Sequence, residues 1–483
     1  MTTDISVTYT ELYFIPVKTR LPLKFGSERV NGIECLRVRV DVRNQEESGG
    51  TGWGEVPLNV QWLWPSELSS DKPSAEKRSE KLREFAGFLA RQIIGWNLKG
   101  HALNIGFTIL TSCLSDAVNV FNADLAEGER IPFSAAAGVF SAFDIAIHDA
   151  FGMVNRVPLY KSYCGDFMDR DAASYFSASY FSDPRSGFMN TEGLFPADFF
   201  RSQPLRKLKV WHLVGGDDPL TESDISAGMP DDGYPILLRD WIRRDGIDCV
   251  KVKLFGKDIQ EDFTRLVRVG DISCEEKVSW LSVDFNCTVK EPEYVLELLS
   301  RLSKDEPEIY DMLLFIEQPF SASAVGDGLE VQHISALKPL FLDEGLTDWT
   351  ILGEAKRLGW SGAALKVCKS QTASILSCCA AGSCGMSLMV MDLTNPMLAA
   401  LSHAALAAHV PTLLGMESNA PQYYPEVSLP EAEVHPGIYR RRKGEIDTGS
   451  MKGNGFGYRI DEINRTLPEA SFVCGDRMEE KVK

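Results

Sequence analysis

The feature that most constrains this chain is an alternation that starts after Leu205. Eight short apolar stretches, at residues 208–214, 249–254, 278–285, 313–316, 339–342, 363–367, 387–391 and 411–414, are separated by helical sequence. Strands alternating with helices over some two hundred residues predict parallel pairing, because a parallel connection needs a crossover long enough to hold a helix. Eight such strands predict a closed barrel, in which the side chains at the C-terminal strand ends converge on one pocket. The stretch at 249–254, read with its flanks as DCVKVKLFG, sets the polarity of that pocket. Alternate residues of a strand share a face, so Lys251 and Lys253 point one way and Val250 and Val252 the other. Two ammonium groups so close make each other harder to protonate, which turns a lysine into a usable base.

The ends of the next strands are acidic. They read Val283-Asp284-Phe285-Asn286, Ile316-Glu317-Gln318-Pro319 and Leu342-Asp343-Glu344-Gly345, and the sixth ends Ala364-Leu365-Lys366-Val367. Taken singly, an Asp after a strand is a helix cap and a lysine is a surface group. Their order is the signal, since three carboxylates on three consecutive strand ends repel one another and call for a cation. An all-oxygen set suits Mg²⁺, with Mn²⁺ possible, better than zinc. Asp284, Glu317 and Asp343 are therefore the candidate metal ligands, with lysines on both sides of them.

The rest of the chain frames this core. Leu36, Val38, Val40 and Val42 alternate with Arg37, Arg39, Asp41 and Arg43, which predicts a half-buried antiparallel strand in an N-terminal meander. Two connections of that meander, 21–26 (LPLKFG) and 57–65 (PLNVQWLWP), are apolar where loops are normally polar, so they are expected to cover something. Leu82, Phe85, Leu89 and Ile93 follow a helical period, and 134–155 reads as a helix rich in small residues, with His148 and Asp149 as structural groups. Residues 166–207 show no period and are expected to be a lid or an insertion. After about 437 the sequence turns β-like again.

Composition excludes several classes of function. The 483 residues carry a formal net charge of -18, and apart from RRRK at 440–443 no basic block stands out, so nucleic acid and anionic membrane surfaces are not expected partners. No basic segment precedes an apolar run at the start, and no window approaches 18 uncharged apolar residues, so a cytoplasmic protein is expected. The 11 cysteines lack metal or disulfide spacing and read as reduced thiols.

With these motifs the sequence resembles the enolase superfamily, within its mandelate racemase/muconate lactonizing enzyme family and the muconate-lactonizing-enzyme-like subgroup. The resemblance implies an α/β architecture, a (β/α)₇β modified TIM barrel with an α+β capping domain. It divides the chain into a cap (1–160), a barrel (161–430) with an insertion near 166–207, and a return to the cap (431–483). The family's Lys-x-Lys falls on Lys251 and Lys253, its metal carboxylates on Asp284, Glu317 and Asp343, and its opposing lysine on Lys366. Strand seven ends Met391-Asp392-Leu393-Thr394 without the histidine of the mandelate racemase subgroup. The Asp-x-Asp by which dipeptide epimerases hold a substrate ammonium is not matched by Leu414-Gly415-Met416-Glu417-Ser418-Asn419, and the usual Asp-Glu-Ser reads Asp343-Glu344-Gly345.

The implied reaction is Mg²⁺-dependent removal of the proton α to a carboxylate through an enediolate. Lys253 and Lys366 are expected to be the bases, with Lys251 tuning Lys253, and Asn286, Asp392, Phe25 and Trp62 to be substrate contacts. A base on each face favours a racemase or epimerase of an amino-acid derivative. A cycloisomerase, a syn-dehydratase of the o-succinylbenzoate synthase type and a non-catalytic metal-binding protein are the alternatives. The expected partner is a small-molecule carboxylate, and the expected assembly a homo-oligomer.

Overall fold

The structure, a computed structural model, describes residues 1–25, 28–65, 73–177 and 188–477. It begins with an antiparallel sheet of β1 (Ile5–Phe25), β2 (Glu28–Asn44) and β3 (Gly49–Pro57), joined at β1 by the two-residue β4 (Lys99–Gly100). Eight parallel strands follow, each predicted stretch yielding one. They are β5 (Lys207–Val214), β6 (Cys249–Lys253), β7 (Trp280–Asp284), β8 (Leu313–Glu317), β9 (Leu340–Leu342), β10 (Gly362–Leu365), β11 (Ser387–Val390) and β12 (Thr412–Glu417). They pair in chain order, and β12 pairs with β5 to close the barrel. The tail first adds β13 (Glu445–Asp447) antiparallel to β5, then returns to the first sheet, where β14 (Phe472–Gly475) pairs with β1.

The barrel is filled. Trp211, Cys249, Phe315, Phe341, Ala364, Met389 and Met391 form one buried cluster inside it, while Val250 and Val252 belong to the main core around it. This is the alternation that the lysine-bearing strand required.

The helix expected at 134–155 is Phe133–Val154, and it joins the two parts of the molecule. β3 lies against it through Gly50, Gly52 and Gly54, which alternate along the strand and so share one face. A Cβ on Gly52 would stand 2.1 Å from the Ala150 nitrogen and 2.3 Å from the Ala146 oxygen, and one on Gly54 2.1 Å from the Ala142 oxygen. Small residues four apart on the helix thus meet glycines two apart on the strand, backbone against backbone. On its other side Asp144 accepts hydrogen bonds from the Ser370 hydroxyl (2.7 Å), the Thr372 amide (2.7 Å) and the Thr372 hydroxyl (2.8 Å), just beyond β10. His148 has the structural role expected of it, between the Thr372 hydroxyl (3.0 Å) and the Tyr163 hydroxyl (2.9 Å). Asp149 takes the amides of Trp53 (3.0 Å) and Phe456 (2.9 Å).

Several expectations are corrected. Arg37, Arg39 and Asp41 are buried rather than solvated: the tail covers Arg37, while Arg39 pairs with Asp41 at 3.1 Å and lies 3.8 Å from Glu11 within the sheet. Arg37 pairs with Glu55 at 2.5 Å and Glu431 at 3.3 Å, and Arg465 pairs with Glu431 at 2.5 Å. The segment from Leu21 is not a loop but the end of β1, so β1 and β2 form a long hairpin arm, and Gly26 of the predicted connection lies outside the described residues. Between Lys18, opposite Gly32, and Leu23, opposite Val30, four residues of β1 face one of β2. The described parts of 166–207 pack on the outside of the barrel. The Phe188 ring lies against Gly353, Phe199 lies against Gly382, and the Met189 amide donates to the Ser383 oxygen at 2.9 Å; residues 178–187 lie outside the described residues. Two stretches, Ala102–Asn122 and Glu127–Val154, are long and apolar enough to cross a membrane by length and composition, but the second is 78% buried as the core helix described above. All 11 cysteines are free, as read from their spacing.

Gly52→Ala should cost ~1–3 kcal/mol or more, since the intruding methyl meets backbone that cannot rotate away. Gly95→Ala, where an added Cβ meets nothing within 4 Å, should be neutral or up to ~1 kcal/mol more stable. Urea unfolding of the two variants checks the contrast, and equal midpoints would remove the packing argument.

Candidate active site

Four of the predicted site residues stand one pleat above a residue of the barrel interior. Cys249 is followed by Lys251, Phe315 by Glu317, Phe341 by Asp343 and Ala364 by Lys366, two positions apart in each case. Period two therefore carries the interior face of the strand straight into the mouth of the barrel. Positive φ at Asn286 (45°), Gln318 (34°), Ser370 (92°) and Thr394 (55°) bends the chain sharply after β7, β8, β10 and β11. Non-glycine residues held in that region gather where a site over-determines the backbone.

Lys251 is enclosed by acids. Its Nζ lies 3.0 Å from Glu317 Oε2, 3.2 Å from Asp284 Oδ2 and 2.8 Å from Glu417 Oε1. Lys253 donates to Asp284 Oδ2 at 2.5 Å and to Asn286 Oδ1 at 2.8 Å. Across the barrel Lys366 donates to Asp343 Oδ2 at 2.6 Å, and Lys369 lies 3.3 Å from Asp343 Oδ1. Trp62 covers this side: its ring centroid is 4.8 Å from the Lys366 ammonium, and its Nε1 donates to Glu344 Oε1 at 3.3 Å. Asn286 Nδ2 donates to the same Glu344 oxygen at 3.0 Å, and the Phe25 ring lies 5.9 Å from the Lys253 ammonium.

The lowered lysine pKa expected from the Lys251/Lys253 pair is not found at Lys251. Burial alone would depress it, but the charges of Glu317, Glu417 and Asp284 outweigh burial and hold the ammonium well above the usual lysine range. Lys366 is raised in the same way, with Asp343 as the chief opponent of burial. Burial pushes Asp284 and Asp343 up, and their lysine partners more than reverse it, so both are lowered. Glu317 is raised, by burial first and then by Asp284.

Asp392 is expected as a substrate contact, and the other role open to an Asp after a strand is to cap the following helix, here the one that holds Met397. That helix, Met397–His409, starts after Pro396 without a side-chain cap. Asp392 instead accepts the amides of Asn395 and Asn419, each at 2.7 Å, and so ties the end of β11 to the end of β12. Burial raises its carboxyl to about 7. It also lines the cavity of about 40 Å³ that Phe25, Trp62, Asn286, Lys253 and Lys366 border, so the structure brings all four candidate substrate contacts to the lysines.

Glu417 is the residue that sequence reasoning missed. The predicted strand stopped at 414, whereas β12 runs on to Glu417 through an irregularity in which the Leu388–Val390 step on β11 spans Thr412 to Met416 on β12. Gly415 makes that kink possible: its φ is +61°, and a Cβ there would stand 2.1 Å from the Lys209 oxygen. A glycine directly after an apolar run was the available signal.

Among the described residues no three His, Cys, Asp or Glu side chains stand as a ready-made metal-ligand group, because the lysines lie between the acids. The chemistry nevertheless fits a hard cation. Five carboxylates (Asp284, Glu317, Asp343, Glu344, Glu417) share the mouth with four ammonium groups (Lys251, Lys253, Lys366, Lys369), and Glu344 Oε2 is buried without a hydrogen-bond partner. All the donors are oxygens, as Mg²⁺ or Mn²⁺ prefers.

Residues 236–464 match the sequence family described as enolase C-terminal domain-like. No curated protein matches the chain by sequence. Among solved structures, the N-succinyl Arg/Lys racemase from Bacillus cereus ATCC 14579 aligns over 97% of this chain and 99% of its own, at 15% identity and a TM-score of 0.58. The dipeptide epimerase from Cytophaga hutchinsonii, solved with Mg and D-Ala-L-Val, aligns over 86% and 88%, at 18% identity and a TM-score of 0.55. The muconate lactonizing enzyme from Pseudomonas fluorescens, solved with muconolactone, aligns over 94% and 96%, at 14% identity and a TM-score of 0.53. At these identities the likeness concerns the fold.

Lys251→Met should destabilise the protein by ~3–5 kcal/mol, the usual cost of leaving buried charges without their partner. Lys253→Met, which uncovers Asp284 alone, should cost less. Urea unfolding in the presence of a chelator measures both, and equal losses would contradict the central place given to Lys251.

Proposed function

We propose, on the premise that residues 236–464 match the family described as enolase C-terminal domain-like, that the chain is a member of the enolase superfamily in its mandelate racemase/muconate lactonizing branch, and that it removes the proton α to a carboxylate and returns it, as a racemase or epimerase of an amino-acid derivative. One observation carries this reading. In the closed ring of eight strands β6 and β10 stand diametrically opposite, and they bear Lys253 and Lys366, with the acidic ends of β7, β8 and β9 between them. A carbon held over those acids has an amine on each face, which is what inversion by proton transfer requires.

Asp284, Glu317 and Asp343 would hold Mg²⁺. Bound there, Mg²⁺ would supply Lewis-acid stabilisation of the charge that develops on a substrate carboxylate. The chain's own groups do the rest. Lys253 takes or gives the proton on one face and Lys366 on the other, each as the free amine when it accepts and the ammonium when it donates. Lys251, wedged among Glu317, Asp284 and Glu417, stays charged and adds positive potential beside the reacting carboxylate. Asn286 orients Lys253 through its Oδ1. Trp62 and Phe25 close over the two lysines and keep water from competing for the proton.

Two measurements test this. Mg²⁺ should raise the melting temperature of the wild type, because an ion that binds only the folded state stabilises it by mass action. The rise should vanish in an Asp284→Asn/Glu317→Gln double variant; equal shifts in both proteins would sink the metal assignment. Once a substrate is found in D₂O, Lys253→Ala and Lys366→Ala should each abolish racemisation while keeping α-proton exchange for one enantiomer, and opposite ones. If a single lysine carries all exchange, the reading gives way to a cycloisomerase or syn-dehydratase.

A further inference from the structure

Of the eight strand ends around the mouth, five are taken up by the proposed chemistry: β6 and β10 by lysines, and β7, β8 and β9 by carboxylates. A substrate whose carboxylate is directed at β7–β9 must lay the rest of its body toward β11, β12, β5 and the arm above them. Those elements supply Leu213, Asp392, Leu393, Thr394, Glu417 and Asn419 from the barrel, with Leu23 and Phe25 overhead. Among the described residues no arginine or histidine borders the cavity, and the lysines that do are Lys251, Lys253 and Lys366. Lys369, the next ammonium along the chain, is held by the Asp343 carboxylate and backbone oxygen and by the Leu346 oxygen at 3.5 Å.

Among the described residues the titratable groups on the side left for the substrate are both acids, and both are fixed. Asp392 is held by two backbone amides at 2.7 Å. Glu417 is held by Lys251 at 2.8 Å and by the Asp392 amide at 2.8 Å. On the proton-transfer reading above, we infer that the site takes substrates with one negative charge only, the reacting carboxylate, and a remainder that is apolar, neutral or cationic. A second carboxylate on the substrate would be drawn out of water toward two immobile acids, with no guanidinium to receive it. An ammonium or amide placed there would meet acceptors, and an aliphatic side chain would meet Leu23, Leu213 and Leu393. Selection of this kind works by rejection: the acids cost the wrong ligand more than they help the right one.

The test uses the full-length protein with Mg²⁺ and three leucine derivatives that differ only in the group on nitrogen: glycyl-leucine (cationic), N-acetyl-leucine (neutral) and N-succinyl-leucine (a second carboxylate). In D₂O, NMR should show α-proton exchange for the first two with kcat/KM about tenfold or more above that of the succinyl compound. Melting temperature in millimolar ligand provides a second readout that needs no turnover, and it should rise with the glycyl and acetyl compounds and not with the succinyl one. Exchange or stabilisation by the succinyl compound equal to or above the others overturns the charge selection. Stabilisation in the expected order without exchange of any α-proton upholds the charge selection and overturns the proton-transfer reading instead.

Discussion

Four ammonium groups and five carboxylates meet at the mouth of the barrel. Removing any of these charges from water alone would be prohibitive; together they neutralise one another. Lys251 is the hinge of the arrangement, because it touches the ends of three strands, β7, β8 and β12. It is placed there by nothing more elaborate than the pleat of β6, which sends Cys249, Lys251 and Lys253 up the inside of the barrel in two-residue steps. The same pleat on β8, β9 and β10 lifts Glu317, Asp343 and Lys366 above Phe315, Phe341 and Ala364. An apolar floor thus sets both the height and the direction of Lys251, Glu317, Asp343 and Lys366, and the site inherits that much of its geometry from the packing beneath.

The cap depends on that mouth as much as the mouth depends on the cap. The far half of the β1–β2 arm has its own small core, in which Val17, Leu23, Val30, Ile33 and Cys35 pack with Leu213, Met397 and Tyr424 of the barrel. Arg20, in the bulged part of β1, donates to Asp232 at 2.7 and 2.6 Å and to the Pro235 oxygen at 3.0 Å, so the long connection after β5 clasps the arm. Tail, sheet and barrel are further tied by Glu55, which takes Arg37 at 2.5 Å and the Ala399 amide at 3.4 Å.

Much of this was legible in the sequence because it is written in period two. The eight strands, the lysine pair, the three acids and the opposing lysine all follow from apolar runs that end in charge, and the pleat makes such ends converge. Where the pleat is broken, the reading failed. Gly415 puts a kink into β12 that hides Glu417, and four residues standing against one at Thr19–Pro22 made the end of β1 look like a loop. Arg37 alternates as a solvated residue would, yet its partner Glu431 in the tail is 394 positions away, beyond any local pattern. Asp392 gave two readings because it has two engagements, a wall of the cavity and a tie between neighbouring strand ends.

The contact of β3 with the helix Phe133–Val154 bears on how anything reaches the lysines. A junction of glycine against alanine has no side chain that can rotate to take up movement, and Asp144 pins the other side of the same helix to Ser370 and Thr372. The sheet, the helix and the barrel are therefore a single frame whose parts cannot slide on one another. A cavity of about 40 Å³ holds a few water molecules, so admitting an organic acid requires something other than the frame to yield. Outside that frame lies the arm beyond Lys18, paired along its strands, held by Arg20 and by the pairing of Lys24 and Arg29 with Asp217, and packed on the barrel through its own apolar core. The route to the lysines is therefore set by how firmly that arm is seated, and its salt bridges and apolar contacts, rather than the frame, carry the cost of making room.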